Sequence, residues 1–166
     1  MTRFDFSSVL IEAEPSAGEL AEALAFAFNC TLQEVTIFRY DTVRAAADPD
    51  GHGVEIVYGR GMMGASPGVS VEAQIVGHQL GDAPLHLDID YDAHEALALD
   101  EISARLARYL TAHVTYDAGN SDPFDYWRVD CDGLLERVSV FPVDQFQDVI
   151  DDRDGYYIFP NAELRD

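Results

Sequence analysis

The chain has 166 residues, 48% of them hydrophobic and 11% aromatic, so it is long enough to bury a core without metals or disulfides and too apolar for an acidic disordered segment. Its 31 carboxylates stand against 10 cations, every one an Arg, and the formal net charge of -21 sets up a field that repels nucleic acid and anionic lipid and attracts basic partners. No run approaches the ~18 apolar residues of a membrane span, and the N-terminus Met1-Thr-Arg-Phe-Asp-Phe6 lacks the apolar stretch of a signal peptide.

Residues 3–13 are rich in β-formers and predict a first strand. Ser16-Ala-Gly-Glu19 has the S-x-x-E spacing of a capping box, and behind it Leu20, Ala23, Leu24, Ala27 and Phe28 recur on one helical face. Strands are predicted at 35–40, 54–58 and 69–76, separated by loops rich in Gly, Pro and Asp. Residues 85–91 alternate strictly and form a further strand. A helix then begins between Asp92 and Asp100 and runs to about His113, with Leu99, Ile102, Leu106, Tyr109 and Leu110 as its apolar stripe. Strands follow at 113–117, 125–131 and 134–141. Asp132-Gly133 suggests a two-residue hairpin between the last two, a register that sets Arg128 against Arg137. The acidic tail holds an apolar anchor at Tyr156-Tyr-Ile-Phe159.

The order β-α-β-β-β therefore occurs twice within one expected domain, in halves of about 1–82 and 84–144, with the tail over 145–166. The fold class is α+β: mixed or antiparallel sheet with two helices packed on it. A duplicated sandwich is the first expectation, and one continuous mixed sheet is the alternative. Cys30 and Cys131 lie in no metal or redox spacing and are expected to be reduced, buried thiols in a cytoplasmic protein.

The acid is unevenly placed. Residues 1–83 carry 12 acids and 4 Arg, and residues 84–166 carry 19 acids and 6 Arg. Alternation puts His86, Asp88, Asp90 and Asp92 on one face of their strand, the carboxylates roughly 7 Å apart, with Leu85, Leu87, Ile89 and Tyr91 on the other. Asp144, Asp148, Asp151 and Asp152 would share one side of a helix over 144–152. Tyr126 shares a strand face with Arg128 and Asp130 and is a candidate anchor within that charge, whereas Trp127 shares the other face with Val129 and belongs to the core. Global acidity also fits a high-salt cytoplasm, and the lack of Lys fits a genome rich in GC.

Chemistry finds less support. Asp88-x-Asp-x-Asp92 is not a calcium loop, because Ala93 and Leu99 occupy the positions that need Gly and Glu. His86, Asp88, Asp90 and His94 are a conceivable metal set, but His94 falls beyond the strand. Neither Cys has a His nearby in sequence, as a thiol nucleophile would need. Gly59-Arg-Gly-Met-Met-Gly64 has dinucleotide-loop spacing but no helix behind it, since Pro67-Gly68 intervenes. No catalytic residue, cofactor or resident metal is expected.

The stretch from Leu106 to Asp144 combines a helix, a short strand, an Asp-Pro-aromatic segment, a Trp-bearing strand, an Asp-Gly turn and a closing strand. In this it resembles the C-terminal part of small bacterial proteins. The chain's size, acidity and organisation are similar to those of the immunity proteins of secreted bacterial polymorphic toxins. The resemblance implies a folded acidic inhibitor that occludes a basic toxin domain, and it carries no functional residue with it.

Overall fold

The computed structural model describes residues 2–40, 54–58, 70–76, 79–93, 98–119, 121–145 and 154–160. The first half contains β1 (Thr2–Ile11), α1 (Ala17–Phe28), β2 (Val35–Tyr40), β3 (Val54–Tyr58), β4 (Ser70–Val76) and β5 (Gln79–Gly81). The second contains β6 (Leu85–Ala93), α2 (Leu99–Leu110), β7 (Val114–Asp117), β8 (Asp125–Val129), β9 (Leu135–Pro142) and β10 (Asp154–Pro160). The two predicted β-α-β-β-β units are present. β5 was not anticipated, and the apolar anchor of the tail is the strand β10.

All ten strands join one mixed sheet, in the order β3-β2-β4-β6-β1-β7-β8-β9-β10-β5. The continuous sheet thus replaces the duplicated sandwich. The two units are interleaved: β1 lies between β6 and β7, and β6 lies between β4 and β1. Most pairings are antiparallel, whereas β2 runs parallel to β4, and β10 runs parallel to β5.

Both described helices pack on one face. Ser16 caps α1 by accepting from the Glu19 amide at 3.1 Å, and Asn29 ends it in the left-handed region. Leu20, Leu24 and Phe28 of α1 and Ile102 and Leu106 of α2 meet Val9, Ile11, Ile37, Val71, Leu87, Ile89 and Val114 from the sheet. Arg105 ties the helices together, donating to the Ala27 carbonyl at 3.0 Å and to Glu101 at 2.6 Å. Its cation therefore sits at the carbonyl-rich end of α1, where the helix dipole favours it.

The opposite face carries a second, smaller core. Leu10, Ala83, Val138 and Val140 are buried there, with Tyr126, Tyr156 and Ile158 packed against them. The sheet curls to bring these together, because β5 pairs with β10 and then leads through Asp82–Pro84 straight into β6. Asp82 fastens this corner: its carboxylate accepts from the Ile158 amide at 2.8 Å and its own amide donates to the Tyr156 carbonyl at 2.9 Å. Gly81 (φ +86°) and Gly155 let the backbones approach so closely that an added Cβ would overlap the carbonyls of Tyr156 and Leu80.

The β8–β9 connection differs from the predicted hairpin. Arg128 pairs with Glu136 and Trp127 with Arg137, one residue away from the register of a two-residue loop. Gly133 donates to the Asp130 carbonyl and Asp130 donates to the Leu134 carbonyl, closing a three-residue loop in which Gly133 alone has positive φ (+86°). The Asp130 carboxylate accepts from the amides of Asp132 and Leu134, both at 2.9 Å. The shift removes the facing arginines. Arg128 instead bridges Glu12 and Glu136, and Arg137 stacks over the Trp127 ring while pairing with Asp125.

A candidate acidic binding face

β6 places the predicted row as its alternation requires. Leu85, Leu87, Ile89 and Tyr91 are buried under the helices, so His86, Asp88 and Asp90 lie on the other face of the sheet. The backbone of Asp92 continues the strand opposite Arg3 of β1 and Ser70 of β4, but its side chain is outside the described set. The register adds Glu72, which sits on β4 directly across from Asp90, and Gln74, which sits across from Asp88. Like charges so placed disfavour the pairing. Glu72 did not stand out in the sequence, although the alternation of VSVEAQIV contains it. Only the β4–β6 register puts it beside Asp90.

The row is not uniformly open. His86, at its start, is 12% exposed and its ring meets Tyr156 edge-on at 5.8 Å, against the second core. Asp88 is 20% exposed and accepts a 2.5 Å hydrogen bond from the Ser8 hydroxyl. His86 Nε2 stands 3.3 Å from the Asp88 carboxylate. Burial pushes the Asp88 carboxyl up, but His86 and Ser8 outweigh it and hold the group below the ordinary carboxylate value. Asp88 is thus ionised at neutral pH. Asp90 is half-buried further along the strand.

The other candidates are dispersed. Asp144 is exposed on a 3-10 turn, Val143–Gln145, while Asp148, Asp151 and Asp152 lie outside the described residues. Tyr126 is half-buried against the second core, and burial first, then Asp117, pushes its hydroxyl up. Both cysteines are free and half-buried rather than buried, and burial pushes the Cys30 thiol up to about 11, with Glu34 adding to the effect. His94 lies outside the described residues, and among the described residues no three His, Cys, Asp or Glu side chains are placed to hold a metal ion. Nor does any helix among them have the length and apolarity to cross a membrane.

Arg105, Arg128 and Arg137 are engaged with Glu101, Glu12, Glu136 and Asp125. Even complete internal pairing of the 10 arginines would leave most of the 31 carboxylates uncompensated. On this face Glu72, Asp88 and Asp90 present carboxylate acceptors at the spacing the β4–β6 register sets. Comparison with known proteins adds no relative, since no family model, curated protein or solved structure matches the chain.

Proposed function

We propose that this protein is a non-catalytic inhibitor that binds a basic protein partner, in the manner of an immunity protein covering a toxin directed at nucleic acid or nucleotides. The observation that carries this reading is the cross-strand acid group of Glu72, Asp88 and Asp90 on a sheet face away from the helices. A cationic partner laid across Glu72, Asp88 and Asp90 would gain several charge-assisted hydrogen bonds from one surface. The net charge of -21 extends the attraction beyond contact range and speeds encounter, which favours an inhibitor that must capture a harmful enzyme quickly. A toxin with a cleft for phosphates supplies the matching Arg and Lys. The cytoplasm is where a producer needs such protection.

The test is co-purification from the native host followed by affinity measurement over a salt series. Affinity is expected to fall about tenfold or more between low and physiological ionic strength. Replacing Glu72 and Asp90 together by Lys should weaken it further and flatten the salt slope. A dissociation constant indifferent to both salt and these substitutions rules out the acidic face as the binding surface.

A further inference from the structure

The side of the molecule away from the acidic row has a different character. A groove of about 470 Å³ runs between α1, α2 and the β8–β9 hairpin, with Phe26 and Ala104 among its apolar lining residues. Arg108 of α2 and Asp132 of the hairpin also line it. Both are exposed, and neither forms an ion pair among the described residues. An arginine with no carboxylate partner among the described residues is notable in a chain holding 31 acids for 10 cations. Exposed apolar side chains lie on the same side: Phe26 is 44% exposed with its ring 5.5 Å from that of the exposed Tyr109, and Leu135, 52% exposed, pairs with Val129 of the helix-side core.

We propose that this groove is a self-association surface that seats the hairpin tip of a second copy of the chain. The charges favour a copy over other occupants. Two molecules of net charge -21 repel each other wherever acid faces acid, yet here Arg105 and Arg108 balance Glu101 and Asp132. A two-fold axis makes contacts reciprocal, so Arg108 of each copy meets Asp132 of the other and both unpaired charges are satisfied at once. Leu135, close to Asp132 on the hairpin, then covers the other copy's Phe26, removing two exposed apolar groups from water. The acidic faces, on the other side of each sheet, point away from the contact.

The test is sedimentation velocity on the full chain over a concentration series, in salt sufficient to screen the net charge. Wild type is expected to pass from monomer to dimer. Arg108→Glu alone and Asp132→Arg alone each set like charges against each other across the two-fold, and each should raise the dimer dissociation constant about tenfold or more. An equimolar mixture of the two variants restores both opposite-charge pairs and should recover the dimer. A wild type that stays monomeric at every concentration overturns the proposal, as do single variants that dimerise like wild type or a mixture no better than its components. Both substitutions are at exposed positions, and circular dichroism confirms that the variants are folded.

Discussion

Asp88 occupies the point where the acidic row meets the second core, and its neighbours set its charge. A carboxyl held below its ordinary value in the folded state lends stability that is present above the unfolded value and is lost as pH falls through the folded one. Replacing Ser8 by Ala removes one of the groups that lower it. The Asp88 carboxyl should then titrate at higher pH, and stability at neutral pH should fall by about 1 kcal/mol. Carboxyl-resolved NMR titration and urea unfolding check the two effects, and an unmoved Asp88 titration shows that Ser8 has no hold on it. The alternation of 85–91 revealed that Asp88 and His86 share a face, because that is a local property of one strand. It did not reveal Ser8, since the partner lies 80 positions away and is set by strand pairing. For the same reason the burial of His86 was hidden: it depends on Tyr156 arriving from the far edge of the sheet.

Among the elements, the β8–β9 hairpin shows where local signals stop. Asp-Gly marks a turn, but it is compatible with loops of two and three residues, and these differ by one step of register. The facing of Arg128 and Arg137 was the symptom of the wrong choice. In the observed pairing Arg128 meets Glu136, and Asp125 reaches Arg137 through a hydrogen bond of 2.7 Å to its Nε. Only Gly133 in this loop needs the left-handed region, so Gly133→Ala should destabilise the protein by about 1 kcal/mol. The same change at Gly18, inside α1, should be neutral or stabilising by up to about 1 kcal/mol, because nothing obstructs a Cβ there and helix propensity improves. Thermal unfolding of the two variants distinguishes a conformational requirement at residue 133 from a general effect of adding a methyl group. Both helices were legible from their 3.6-residue stripes. β5 was not, since a three-residue strand ending in Gly carries no periodicity and exists only because β10 lies beside it.

At the scale of the molecule, element order was readable but adjacency was not. Two successive β-α-β-β-β units suggest two self-contained sheets, and sequence offers no local cue that their first strands are exchanged. Hydrophobic burial decides it: one sheet with both helices on the same side encloses a single large core, in which Leu20 and Leu24 of the first unit and Ile102 and Leu106 of the second are all buried. The exchange has a consequence for dissection of the chain. Cleavage in the Asp82–Pro84 link would leave β1 in one piece with both its partners in the other, and would strand β6 in the mirror-image position. Neither piece can complete its half of the fold unaided. Expressed separately, residues 1–83 and 84–166 should lack cooperative melting transitions, while mixing them should produce one, with each fragment acting as the obligate template for its counterpart.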